Sequence, residues 1–512
     1  MFRTLRHIRR LLAIVRTLAQ HDALFFIEQG NLAPALAGIA RLVVRRQPNR
    51  RPGERLAAAL QALGPSFIKL GQSLATRADL LGEAIAADLS SLHDRLPPFD
   101  AALARRTVEE ELGGPLEKFF QSFDDEPVAA ASIAQVHFAV TSDGREVAVK
   151  ILRPNIEDAF QRDLDLVFWV AQQIERTRPD LRRFRPLAVV ETFAEWVAVE
   201  MDLRLEGAAA SELTENFMGD EAIFRVPRVD WDRTARRVLT TERVTGIRVD
   251  DREALIAAGH DPTEILANAA TIFFKQVFRD GFFHADQHPG NAFVAPDGAI
   301  VAVDFGIMGR LDRKTRYFLA DMLLGFLNGD YRKVAEVHFR AGYVPPNKSM
   351  EMFTQAIRAI AEPILDKPIN EISLAKLLGL MLQVTERFQM ETQPQLLLLQ
   401  KTMLVTEGVG RRLNPDVNMW ALARPLIEGW MRDNRGPEAR LRESVEEAAG
   451  AAARLPGLLA DLEIAARDLA QRGLKLDPAS LRALRDGSGQ GNGLAWPLWL
   501  VVLLLAILVL FD

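Results

Sequence analysis

The chain has 512 residues, too many for one hydrophobic core, so two or more folded units are expected. Apolar residues make up 48% and charged residues 26%, the balance of a folded chain, and a net charge of -5 argues against nucleic-acid binding. With no cysteine, disulfides, zinc–thiolate sites, iron–sulfur clusters and cysteine nucleophiles are excluded.

Residues 1–50 open with MFRTLRHIRRLLAIVRTLAQ, where Arg3, Arg6, Arg9, Arg10 and Arg16 recur among apolar residues at helical spacing. Arg16 interrupts the apolar run, which speaks against a cleaved signal peptide. The segment reads either as a basic amphipathic helix on a membrane surface or as a helix with a solvated face. Residues 51–125 keep a helical pattern: Leu56, Leu60 and Leu63 share a face, Gly64-Pro65 breaks the run, and Phe67 to Leu74 restarts it. From Ser132 to Ile151 the period becomes two, and Asp143-Gly144 marks a hairpin turn. Helical patterns come next, from Asp158 to about Phe217, and ARRVLTTERV offers another strand, so residues 126–250 read as a small mixed lobe.

Residues 251–434 read as a large helical lobe broken by one strand pair around NAFVAPDGAIVAVDFG. The segment 435–486 continues as amphipathic helices, and between Glu438 and Leu474 these are either solvated or pair two copies of the chain as a homodimer. From Leu494 to Phe511 there are 18 residues without a charge, about 27 Å as a helix, enough to nearly span a bilayer core. Trp496 and Trp499 stand where interfacial aromatics belong, and Lys475, Arg482 and Arg485 before the span place the main body on the cytoplasmic side.

Three places carry chemistry. In the strand VAVK, Val147 and Val149 take one face while Ala148 and Lys150 take the other, so the lysine can project into a cleft. In HADQHPGN, Asp286 and Asn291 stand five apart, and a short hairpin then returns the chain at VAVDFG with Asp304. This order matches the kinase arrangement of a catalytic aspartate, Asp286, and two Mg²⁺ ligands, Asn291 and Asp304. Amide and carboxylate oxygens suit a hard cation that bridges phosphates, and Asp286 would orient or deprotonate an attacking hydroxyl or water. A rival reading makes His284, Asp286 and His288 a zinc cluster, but it leaves DFG unexplained. Gly408-Val409-Gly410 begins a dinucleotide-type pattern, yet Leu413 holds the third glycine position and no strand precedes it.

With these motifs the chain resembles the UbiB/ABC1/ADCK group of atypical kinase-like proteins, and within it the bacterial UbiB branch of ubiquinone biosynthesis. The resemblance runs from about Gly64 to about Asn434 through FIKLGQSLATRADLL, AAASIAQVH, VAVKILRP, VEMDLRLE, FFHADQHPGN, VDFGIMG and LLLLQKTMLVTEGVGRRL. It implies an α+β, protein-kinase-like bilobal fold, with a helical extension bearing the K-x-G-Q motif of Lys69, Gly71 and Gln72 at the front and a C-terminal transmembrane helix behind. It also implies that Lys69 and its motif lie over the active site against the E-x-D motif, Glu200 and Asp202, where a peptide substrate would otherwise sit. Glu206 would hold Lys150 for the ATP phosphates, Ala129, Ala130, Ala131 and Ser132 would replace a glycine-rich loop, and adenine would meet the backbone from Glu242 to Val244. Alanine restricts positive φ, so such a loop approaches phosphates less freely than glycines would. Gly207 and Ala209 depart from the alanine and asparagine common in the family after the Glu206 position, and the tail holds one span where many bacterial relatives have two.

After Asp304-Phe305-Gly306 the chain turns almost directly into a helical pattern with no A-P-E beyond it, so a platform for a peptide substrate is missing. The resemblance then implies an ATP- and Mg²⁺-dependent ATPase at the bacterial inner membrane, acting on polyprenyl-phenol quinone precursors in the lipid alongside other ubiquinone biosynthesis proteins. The alternatives are a nucleotide-binding scaffold of the quinone biosynthetic complex and a small-molecule or lipid kinase.

Overall fold

The computed structural model describes residues 2–25, 50–75, 96–177, 186–364, 394–417 and 419–435, with scattered positions between 85 and 92 and between 380 and 390. The chain divides into two units, Met1–Met431 and Arg432–Asp512. The second lies almost wholly outside the described residues, and with it the segment 435–486 and the expected span at 494–511. Among the described residues, no helix is long and apolar enough to cross a membrane.

The front of the first unit is helical: α1 (Phe2–Gln20), α2 (Pro52–Leu63) and α3 (Pro65–Ala75). The leucine face seen in the sequence is the face that packs, with Leu56 and Leu60 buried among Val15, Leu18, Phe67 and Ile68. Pro52 and Pro65 each open a helix, where the missing N–H has no partner to lose. At Gly71 a Cβ would fall 2.6 Å from Leu92 Cδ1 and 2.7 Å from Leu60 Cδ1, so close packing requires the small residue. Two arginines of α1 face carboxylates, Arg10 half-buried and Arg6 exposed. Arg10 donates to both carboxylate oxygens of Asp163, at 2.9 and 3.1 Å, and Arg6 lies 3.9 Å from Asp165. Arg9 and Arg16 face solvent.

Helix α4 (Ala101–Leu112) starts at Asp100, whose carboxylate accepts from the Ala102 N–H at 2.8 Å. The helical reading to about Asp125 ends early here, because Phe120–Phe123 is a strand, β1. Phe120 and Phe123 point into a core with Val108, Val147, Val149 and Val238 while the two residues between them face out. That core, which a helix in this position could not line, decides the conformation. The strands β2 (Ala129–Ala130), β3 (Ala134–Thr141) and β4 (Glu146–Leu152) come next. Gly144, with φ +85°, makes the expected turn between the last two. Beyond helices α5 (Ile156–Thr177), α6 (Pro186–Glu200) and α7 (Leu203–Asn216) come β5 (Phe224–Arg225) and β6 (Val238–Glu242). The small lobe is an antiparallel sheet in the order β1-β3-β4-β6, with β2 paired to β3.

The large lobe begins after β7 (Ile247–Arg248) with α8 (Pro262–Phe274) and a π-helical turn, Lys275–Asp280. The strand pair read from the sequence is β9 (Ala292–Val294) and β10 (Ile300–Ala302), joined at Gly298 with φ +89°. It sits in a sheet ordered β5-β10-β9-β7, while β8 (Phe282–His284) pairs with β11 (Met308–Arg310) on the other side of the loop bearing Asp286. These additional strands are two or three residues long, below the length at which alternation can be recognised. Helices α9 (Arg313–Leu327), α10 (Tyr331–Arg340) and α11 (Met350–Ala361) pack around Phe353. Then α12 (Pro394–Leu413) and α13 (Met419–Arg435) close the described chain. Gly408 to Gly410 lie inside α12, so the glycine pair forms no phosphate-binding turn.

Candidate active site

The site starts at β4, where Val147 and Val149 are fully buried and Ala148 and Lys150 occupy the opposite, half-buried face. Lys150 Nζ donates to Glu206 Oε1 at 2.7 Å and Oε2 at 2.9 Å, and to Asp304 Oδ1 at 3.0 Å. Glu206 stands in the first turn of α7, which Asp202 caps by accepting from the Arg204 N–H at 3.2 Å. Asp304 adopts φ +64°, a left-handed conformation that aspartate tolerates better than most residues. Such a residue is held there only by its surroundings, and it sits where the chain leaves the β9–β10 hairpin.

One ammonium therefore serves two carboxylates. Burial opposes the charge on Lys150, yet Asp304 and Glu206 outweigh burial and hold its proton more firmly than in a free lysine. Burial, joined by the repulsion of Asp304, pushes the Glu206 carboxyl up in spite of Lys150. For Asp304 burial acts in the same sense, but Lys150 first and Lys69 after it bring the carboxyl well below the usual range. The Asp304 side chain keeps 48% of its surface open, against 8% for Glu206, so the exposed excess of negative charge lies at Asp304.

Asp286 and Asn291 lie on the loop between β8 and β9. Asn291 Nδ2 donates to the Asp286 carbonyl at 3.2 Å, which leaves Oδ1 as the end that can face a cation. The Val303 N–H donates to the Asn291 carbonyl at 2.8 Å and so brings the residue before Asp304 against Asn291. An amide oxygen and a half-open carboxylate fit a hard divalent ion that takes its remaining ligands from water and phosphate. Among the described residues, no three histidine, aspartate or glutamate side chains group to hold a metal by themselves. His284 is buried, with Nδ1 accepting from the Asp286 N–H at 3.2 Å, and His288 Nδ1 accepts from the Gly290 N–H at 3.1 Å. The two rings of the zinc reading are thus turned to backbone partners.

Lys69 of α3 lies 3.0 Å from Glu200 Oε2 at the end of α6, and both side chains are nearly enclosed. The two acidic residues of the E-x-D motif part company here, since Asp202 is held by Arg204 at 2.6 and 2.8 Å as well as by its capping role. Gln72 reaches the Leu92 carbonyl at 3.5 Å, and Gly71 supplies the helix contact described above. Ala129 and Ala130 are paired to β3 opposite Val136 and Gln135, and the Ala131 N–H donates to the Ala134 carbonyl at 2.8 Å. Ser132 is fully buried. Glu242 ends β6, its N–H donated to the Arg228 carbonyl at 2.9 Å, with Val244 two residues further on.

Three further side chains border these residues without having been singled out from the sequence. Arg153 donates twice to the Ala131 carbonyl, at 2.8 and 3.0 Å, and once to the Pro97 carbonyl at 2.9 Å, clasping the alanine loop. Lys401 of α12 lies 3.0 Å from Asp286 Oδ1, and Thr406 Oγ1 donates to Gln287 Oε1 at 2.7 Å. The sequence signal of the two cations is membership of quoted motifs: Arg153 is the arginine of VAVKILRP, and Lys401 stands in LLLLQKTMLVTEGVGRRL.

Residues 91–338 match the ABC1 atypical kinase-like domain, and residues 357–418 match the UbiB helical domain. The chain is 44% identical over 421 residues to a protein of Aliivibrio salmonicida named "Probable protein kinase UbiB", covering 81% of this chain and 77% of that one. Proteins of the same name from Vibrio atlanticus and Pseudomonas entomophila are 42% identical over 459 residues and 43% over 443, with 88% and 84% of this chain covered and 84% and 82% of theirs. Among solved structures, the complex of Rv3197 with erythromycin from Mycobacterium tuberculosis is similar with a TM-score of 0.52 and 26% identity, covering 72% of this chain and 93% of that one.

Proposed function

The chain belongs to the ABC1 family of atypical kinase-like proteins, with the UbiB helical domain joined to it, and from that premise we propose that it binds ATP with Mg²⁺ and hydrolyses it to extract or present polyprenyl-phenol precursors of ubiquinone at the bacterial inner membrane. The observation that carries this reading is the single ammonium of Lys150 shared between Glu206 and Asp304. In a nucleotide site that lysine would position phosphates, Asp304 and Asn291 would hold the metal, and Asp286 would take the proton of the attacking group. A metal held there would supply charge neutralisation at the transferring phosphoryl group.

Hydrolysis, rather than transfer to a peptide, is supported by the short stretch of chain after Asp304. It passes through β11 at Met308–Arg310 and enters α9 at Arg313, leaving no segment for a peptide to lie on. Lys69, paired with Glu200, is near enough to lower the pKa of Asp304, which supports its lying over the substrate side. The apolar run 494–511 would hold the body of the protein at the membrane where such lipids reside. A second reading, transfer of phosphate to a small-molecule hydroxyl, is favoured by the open side chain of Asp286, 34% exposed. Mg²⁺-dependent ATP turnover in detergent, with and without phenolic ligands, tests the proposal. Stimulation by the phenol and its loss in Asp304→Asn are expected; equal turnover in wild type and Asp304→Asn overturns it, and a phosphorylated phenol supports the second reading.

A further inference from the structure

The loop from Asp286 to Asn291 contains Gln287, His288, Pro289 and Gly290, none of which carries a permanent positive charge. Yet the carboxylate of Asp286 is not without a cation. Lys401, 115 positions further along and on a helix of the other matched family, places Nζ 3.0 Å from Asp286 Oδ1. The contact is not an isolated touch of a long side chain, because Thr406 of the same helix bonds Gln287, the residue next to Asp286, at 2.7 Å. The Lys401 and Asp286 side chains keep 36% and 34% of their surfaces open, so the pair borders the cleft and is not sealed away from it.

An ammonium has three donors, and one bond to Asp286 leaves two for another partner. On the nucleotide reading, which this inference rests on, Asp286 lies against the attacking oxygen, and that oxygen must approach within about 3–3.5 Å of the γ-phosphorus. A cation 3.0 Å from the Asp286 carboxylate is therefore within reach of the γ-phosphate oxygens. Lys150 pairs with Glu206 and Asp304 and Lys401 with Asp286, so the two ammonium groups meet the phosphates beside different carboxylates.

We propose that Lys401 is the cation that binds the γ-phosphate, a catalytic residue supplied to the kinase-like domain by the helical domain behind it. Asp286 accepts the proton of the attacking water or hydroxyl as its oxygen bonds to phosphorus and the bond from phosphorus to the diphosphate oxygen breaks. Lys401 faces the negative charge on the phosphoryl oxygens throughout. A lysine in this position makes the site discriminate triphosphate from diphosphate, and it makes the helical domain part of the chemistry.

The test is equilibrium binding of Mg²⁺ with the β,γ-imido analogue of ATP, and separately with ADP, to the full-length protein in detergent. Wild type is expected to bind the triphosphate more tightly. Lys401→Met is expected to lose about tenfold in affinity for the triphosphate, the value of one charge-assisted hydrogen bond, and to keep its affinity for ADP. Lys401→Arg should recover part of the loss, and Met403→Ala, at an exposed position of the same helix, should leave the triphosphate-to-diphosphate ratio unchanged. Retained ADP affinity shows that the Met variant is folded. An unchanged ratio in Lys401→Met, whether both affinities persist or both fall together, overturns the proposal. Failure of wild type to bind either nucleotide overturns the nucleotide reading itself, and is told apart by the wild-type measurement alone.

Discussion

Lys69 Nζ stands 3.0 Å from Glu200 Oε2, with 12% and 14% of the two side chains exposed, so an ion pair joins the front helices to the end of α6. Removing one member of so enclosed a pair leaves the other charge with poor solvation. Lys69→Ala and Glu200→Ala should each destabilise the protein, and the double variant should be less destabilised than the sum by about 1–3 kcal/mol. Denaturant titration of the four proteins checks this; strict additivity would show that the pair contributes nothing.

Lys150→Met should do two separable things. It removes the ammonium bonded to both Glu206 and Asp304, leaving two neighbouring carboxylates to repel each other, and it removes the charge proposed to position phosphates. Adding Glu206→Gln should restore part of the lost Tm but none of the nucleotide affinity. Thermal melts beside calorimetry distinguish the two effects, and a double variant as unstable as Lys150→Met would sink the charge argument.

Gly309 of β11 faces Phe283 of β8 across the strand pair, and a Cβ at Gly309 would fall 2.1 Å from Phe283 Cζ. Phe283 has no exposed surface into which the ring could swing. Gly309→Ala should therefore destabilise by about 1–3 kcal/mol through overpacking. The strain falls next to His284, so ATP turnover should drop with it, and Phe283→Leu in the same chain should recover part of the stability measured in urea.

The chemistry is more legible in the sequence than the scaffold that holds it. Asp286, Asn291 and Asp304 lie within one stretch whose spacing is set by a single hairpin, so local order alone marks them. Lys150 is marked by strand alternation, and Glu206 only by the family resemblance. Strand β1 reads as helix from its own residues because its core partners, Val147, Val149 and Val238, come later in the chain. Lys401 and Arg153 escape for a similar reason: each acts through a partner far off in sequence, Asp286 in one case and Ala131 in the other, and nothing in residue type separates them from ordinary surface cations.

His338 of α10 is enclosed by Tyr343 and Phe353 and hydrogen-bonds the Val334 carbonyl at 2.8 Å. Burial lowers its pKa below the free value of about 6.5, with the Val334 carbonyl only partly opposing it. Because the folded state then binds the proton less readily than the unfolded state, this contribution is complete above about pH 6.5 and is lost as pH falls from there toward the folded pKa. His338→Leu should flatten the fall in stability over that window, which reaches at most about 1.4 kcal/mol per pH unit for one proton. Denaturant titrations of both proteins at several pH values measure it, and parallel curves would count against the assignment.

Lys150 and Asp304 are 154 positions apart, and Asp286 and Lys401 are 115 apart. Contacts of that separation close late, after the entropy of the intervening chain has been surrendered. A newly made polypeptide would thus acquire its ligand-holding centre only once both lobes and the helices beyond them have assembled. On the nucleotide reading, a saturating ligand would stabilise the finished state alone, by mass action, so its capture would favour the assembled chain over its precursors.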